Sequence, residues 1–121
     1  MEVIEELKNN KQSPVVIADH QGLIKFINSI FEDIFYWTAQ EIINQHLSII
    51  IPKSLHDAHH LGFSRFLVTG KPTLLDRPII LSAVKKNGDI FKAEHIIHAS
   101  HVSGNWLFGA TITPILAGDP S

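Results

Sequence analysis

The sequence predicts an α+β domain: a five-stranded antiparallel sheet with helices packed on one face. Three observations carry that expectation. Runs of β type bound both ends of the chain while its middle has helical spacing, and hairpin turn signals separate the runs. The length, 121 residues, suits one core rather than two. Hydrophobic residues make up 45% and charged residues 18%, which favours a packed globule over a disordered chain.

The opening EVIEELKNN carries Val3, Ile4 and Leu7 at helical spacing, and NNKQSP breaks the pattern, so residues 1–12 are expected to form an amphipathic helix outside the main core. That stripe is short and its flank acidic, which suits a dimer or cap contact better than a membrane anchor. The domain proper is expected over 13–116, with 117–121 as a tail. PVVIADHQGLIKFINS reads as a hairpin: a β-branched run, a polar turn from Asp19 to Gly22, then a strand in which Ile24 and Phe26 alternate with polar neighbours.

Two short helices follow. Ile30, Phe31, Ile34 and Phe35 have helical spacing, and TAQE from Thr38 to Glu41 is a capping-box pattern that opens the second helix. After HLSIIIP, residues 54–70 read as a longer helix with Ser54 as N-cap and Gly70 as its stop. The remainder holds three strand-like runs joined by turns at Asn87-Gly88 and Ser103-Gly104.

Composition excludes several function classes. The net charge is -2 and the basic residues are scattered, so no footprint for nucleic acid or an anionic membrane is visible. With no cysteine, the chain has no disulfide, thiolate metal site, thiol nucleophile or cysteinyl cofactor adduct. No signal-peptide pattern occurs, nor an apolar run near the roughly eighteen residues of a membrane span, so the cytoplasm is the expected compartment. Eight histidines outnumber the seven phenylalanines and seven glycines, and three of them cluster in HDAHH at 56–60. Imidazole titrates near neutrality and ligates metals, so function is sought there first.

The element order and several strings resemble the PAS sensory domain family from about Ser13 to Ile115. SPVVIADHQGLIKFIN is similar to its opening hairpin, and FEDIFYWTAQEIINQHLSIIIP to the helical segment that follows. HLGFSRFLVTG and KKNGDIFKAE are similar to a stretch common in bacterial signalling members, with Asn87 in place of Asp and Lys92 in place of Pro. The resemblance implies a non-enzymatic module that senses a small-molecule or gas ligand, a cofactor or a redox state between sheet and helices. It also implies homodimerisation and coupling to an output kinase, cyclase or other signalling module, in cis or in trans.

Within that family, the flavin-photosensing branch needs a reactive cysteine, so no flavin–cysteine adduct can form here. The haem-binding branch ligates iron through a helix histidine seven residues after a proline, and Pro52 and His59 have that spacing. The resemblance thus implies haem b with His59 as proximal ligand. Helical periodicity puts Leu55, His59, Gly62, Phe63 and Phe66 on one stripe, with Arg65 opposite and His56 and His60 on its flank near solvent. On FKAEHIIHA, period two gives Phe91, Ala93, His95, Ile97 and Ala99 one face, and His95 is its anomaly. His95 is a candidate sixth ligand or hydrogen-bond donor to bound gas.

Arg65 and Arg77 are candidate propionate partners. Leu74, Ile79, Ile97 and Trp106 complete the candidate lining. The chain departs from the haem sensors where their distal arginine corresponds to Ile79 and a methionine ligand to Arg77. Plainer accounts stand beside these: His59 and His95 as packed polar groups, Trp37 and Trp106 as packing residues, and a ligand-free or metabolite-binding dimerisation or protein-interaction module. His56 and His60 have the i,i+4 spacing of a zinc pair, but the glutamate of HExxH and a third ligand are missing. No acid, base and nucleophile set is apparent.

Overall fold

The structure, a computed structural model, describes residues 3–58 and 78–115. The expected helix over 54–70 therefore lies largely outside the described residues, as do His59, His60, Phe63, Arg65, Phe66, Leu74, Arg77 and the tail at 117–121. Five strands, β1 (Val15–Ala18), β2 (Ile24–Ile27), β3 (Ile79–Val84), β4 (Ile90–Val102) and β5 (Asn105–Pro114), form one antiparallel sheet. Its order is β2-β1-β5-β4-β3, which puts the last of the described strands in the centre.

Local sequence accounts for the turns and helix starts. Asp19 accepts at Oδ1 from the backbone N–H of Gln21 and Leu23, closing the β1–β2 turn. Gly22 completes it at φ +80°, and a Cβ there would lie 2.7 Å from His46 Nε2, so glycine is required by both backbone and contact. Helix α2 (Ser29–Phe35) is capped by Asn28, and α3 (Ala39–Ile42) by the reciprocal Thr38–Glu41 box that TAQE predicts.

The segment after α3 differs from the expectation. Asn44 N–H donates to Ile24 O, and Leu47 N–H to Gly22 O, so this stretch runs alongside β2 before a 3-10 turn at Leu47–Ile50. Nor is Ser54 an N-cap: it lies inside a second 3-10 turn, Lys53–Leu55, opened by Pro52, whose carbonyl accepts from Leu55 N–H at 2.8 Å. Proline's fixed φ and missing N–H set the start two residues early. Residues 56–58 are helical and lead out of the described region.

The core has two sides. On the inner face, Ile24, Phe31, Phe35, Ile42, Ala93 and Ile112 are buried together between the sheet and α2 and α3. Phe31 and Phe35 stack at 4.1 Å, and Phe91 meets Phe35 edge-on at 5.3 Å. On the outer face, α1 (Val3–Lys8) buries Ile4 and Leu7 against Val15 and Ile17. Helix α1 thus caps the sheet of its own chain, and Leu7 is not presented for a dimer contact. Among the described residues, no helix is long and apolar enough to cross a membrane.

Candidate functional site

Strand pairing sets the inner face. Each strand alternates its side chains between faces, so Phe91, Ala93, His95, Ile97, Ala99 and His101 of β4 share the side of the buried Ala93. Across from them on β5 stand Ile112 (opposite His95), Ala110 (opposite Ile97), Phe108 (opposite Ala99) and Trp106 (opposite His101). On β3, Ile79 lies opposite His95. The result is an apolar surface in which Ile79, His95 and Ile112 form one row across three strands. Imidazoles at 95 and 101 are its ionisable groups.

Phenylalanines 31, 35 and 91 fill the end of this face next to the β3–β4 turn. His95, half-buried, stands beyond them. Its Nδ1 lies 3.1 Å from its neighbour's carbonyl, Ala93 O. A carbonyl only accepts, so Nδ1 carries the proton and Nε2 keeps a lone pair. Burial pushes the imidazole pKa below its ordinary value, and the hydrogen bond to Ala93 opposes this only in part. His95 is thus a neutral imidazole of fixed tautomer, the form in which histidine ligates a metal or accepts a hydrogen bond.

The other predicted residues separate. Ile79 and Ile97 share the inner face with His95, Trp106 is half-buried on β5, and His101 meets it edge-on at 5.1 Å in an exposed position. His98 faces the opposite side of β4 from His95, as alternation requires. His56 is half-buried, and its Nε2 lies 2.7 Å from Ile51 O and 3.0 Å from Ser48 O. Two carbonyl partners make that nitrogen an N–H donor, and His60 lies outside the described residues. Among the described residues no group of three or more potential metal ligands occurs.

Sequence reasoning missed two polar features. Trp37 packs on the inner core, yet its Nε1–H is buried with no hydrogen-bond partner among the described residues. Lys86 covers its ring at 5.2 Å while pairing with Glu41, whose carboxyl it holds below the ordinary range. A neighbouring orphan N–H cannot be read from a WT dipeptide. The second is Asn28, whose carboxamide bonds to four backbone groups in separate segments. An open groove of about 480 Å³ beside it, lined by Lys8, Lys11, Phe26 and Ser29 among others, lies away from His95 and has this satisfied amide in its wall.

Comparison with known proteins agrees with this architecture. The family described as the PAS fold matches residues 4–73, more than half of the chain. An uncharacterized protein of Azorhizobium caulinodans is 32% identical over 84% of this chain and 14% of its own length. The sensor protein FixL of Bradyrhizobium diazoefficiens is 25% identical over 64% of this chain and 15% of its own. The chain therefore spans about one-seventh of the curated relatives it matches. The crystal structure of a PAS domain from Colwellia psychrerythraea superposes with a TM-score of 0.72 at 12% identity, covering 93% of this chain and 97% of that one. A five-stranded sheet in this order, α2 and α3 over its inner face and a matching family together give the conclusion: the chain belongs to the PAS family.

Proposed function

We propose that the chain is a non-catalytic sensory module of a signalling protein, binding a small ligand between its sheet and helices. The leading ligand is haem b, held by His59 from the helix side with His95 facing it from the sheet. One observation carries this reading: a half-buried imidazole of fixed tautomer, with its Nε2 lone pair uncommitted to backbone, stands in an otherwise apolar row between Ile79 and Ile112. The resemblance of the Pro52–His59 spacing to haem-sensing members, and the similarity to a sensor protein, support it.

When bound, haem would supply an iron centre responsive to gas ligation or oxidation state. The residues of this chain would do the rest. His59 and His95 would offer neutral nitrogens, Ile79, Ile97 and Trp106 would exclude water, and Phe63, Phe66 and Leu74 would complete an apolar enclosure. Arg65 or Arg77 would neutralise propionates. A change at His95 would act on β4, the longest described strand, and the signal would pass through the sheet or the N-terminal helix to an output partner. Residence in the cytoplasm and coupling to a kinase, cyclase or similar partner belong to this proposal.

A second reading is favoured by Ile80 and Ile90, which lie on the outer face 50% and 63% exposed. Apolar residues there suit a homodimer or protein-interaction module that needs no cofactor. Hemin titration of the purified chain, with His59→Ala and His95→Ala beside it, separates the two. A one-to-one Soret band lost in His59→Ala, with low-spin features lost in His95→Ala, is the expected result. Weak, nonstoichiometric binding that neither change affects, in a colourless protein that dimerises, would select the second reading.

A further inference from the structure

The two edges of the sheet differ. Along β2 the segment after α3 covers the edge: Asn44 N–H donates to Ile24 O at 2.7 Å, and Ile24 N–H to Gln45 O and Leu47 N–H to Gly22 O at 2.8 Å. Along β3, at the far side, no such cover occurs among the described residues. Lys85 N–H donates to Asp89 O at the base of the β3–β4 turn, and antiparallel pairing alternates from there. Ala83, Leu81 and Ile79 therefore bond to β4, while the N–H and C=O of Val84, Ser82 and Ile80 point outward. This open stretch has a stop at each end. Pro78 has no N–H to offer, and Lys86 N–H is taken by Phe35 O at 2.9 Å. Between them Ile79–Val84 has no charge, proline or break in register, the devices that blunt an exposed edge.

The outward groups are centred on Ser82, and reversing the strand about that residue sets Ile80 opposite Val84 and Leu81 opposite Ala83. A second copy related by a two-fold axis at Ser82 thus meets each outward N–H with a C=O and pairs β-branched side chains on the outer face. The same operation joins the exposed Ile80 and Ile90. On one chain they stand in rows four residues apart along β3, about 13 Å, too far to form one patch. Across the axis, Ile90 lies beside Val84, and Val84 beside Ile80 of the second copy, in a single apolar row that occurs twice. We propose that β3 is a self-association edge: two copies of this chain pair antiparallel through Ile80, Ser82 and Val84 into one continuous sheet. The proposal rests on the second reading for the existence of a homodimer, gives that dimer an edge-to-edge geometry, and is independent of any ligand on the inner face.

Analytical ultracentrifugation of the whole chain over a concentration series should show a monomer–dimer equilibrium. Ser82→Pro removes the central N–H, which already faces away from β4, so the fold should persist while the dimer dissociation constant rises at least about tenfold. The chain has no cysteine, so single-cysteine variants report the geometry. In the paired edge the two Cα atoms at position 82 would stand about 5.5 Å apart, inside the range a disulfide spans. With an added oxidant, Ser82→Cys should therefore form a covalent dimer under conditions where Ile90→Cys, exposed but remote from the axis, does not. That comparison decides the matter even where the proline variant fails to fold. A chain that stays monomeric throughout overturns both the edge and the dimer of the second reading. A dimer that a folded Ser82→Pro leaves unchanged, or linkage through Ile90→Cys equal to or above that through Ser82→Cys, overturns the edge alone.

Discussion

Leu7 of α1 stands directly over Gly109 of β5: a Cβ at 109 would lie 2.5 Å from Leu7 Cδ1 and 2.9 Å from Ile4 Cδ1. The backbone at 109 lies within a regular strand, so the demand for glycine there comes from the helix above. In a strand free of that contact, alanine would be favoured over glycine by about 0.5–1 kcal/mol. Gly109→Ala should instead destabilise the fold by about 1–3 kcal/mol, through overpacking against α1. Urea unfolding checks the sign, and a stabilised variant would mean that α1 shifts at no cost.

His95 should make stability depend on pH. Its folded pKa is depressed, chiefly by burial, below the ordinary 6.5 of the unfolded chain. The unfolded state therefore takes up the proton first as pH falls. Stability is full above about 6.5, declines as pH drops toward the folded value, and levels off below it. Subtracting the stability–pH curve of His95→Leu from that of wild type should leave this slope. A flat difference through the window would refute the burial of a neutral imidazole.

His56 ties the start of the helical segment at 56–58 to the preceding 3-10 turn through Ser48 O and Ile51 O. Losing both contacts in His56→Ala should cost about 1–3 kcal/mol, measured by thermal or urea unfolding. His56→Phe restores volume but no N–H, so it should recover little of the loss. If phenylalanine restores full stability, the residue acts by packing alone.

The local features were legible in the sequence because each rests on neighbouring residues. Thr38 and Glu41 make the capping box that TAQE announces, Asn87-Gly88 and Ser103-Gly104 turn the chain, and period two puts His95 on the inner face. What escaped depends on distant contacts. Residues 44–47 carry no strand-like pattern but bond along β2, and Pro52 moved the start that Ser54 suggested. Asn28 looked like an ordinary polar residue after a strand. Its four partners, spread from Asn10 to Phe31, become a set only when α1 lies beside α2.

The central place of β5 also bears on the order in which the fold can be assembled. As the ribosome delivers the chain, β1 and β2 emerge before the other described strands and can pair as a hairpin, but the neighbour that β1 needs on its other side is the last of the five to be made. Until Asn105–Pro114 arrives, β1 has an unpaired edge, and Val15 and Ile17 lack the strand that completes their surroundings. Closure of the sheet is therefore a late, long-range event, joining residues about ninety positions apart. A nascent chain stalled before β5 would carry an adhesive strand edge, a hazard that translation speed and chaperone access would govern.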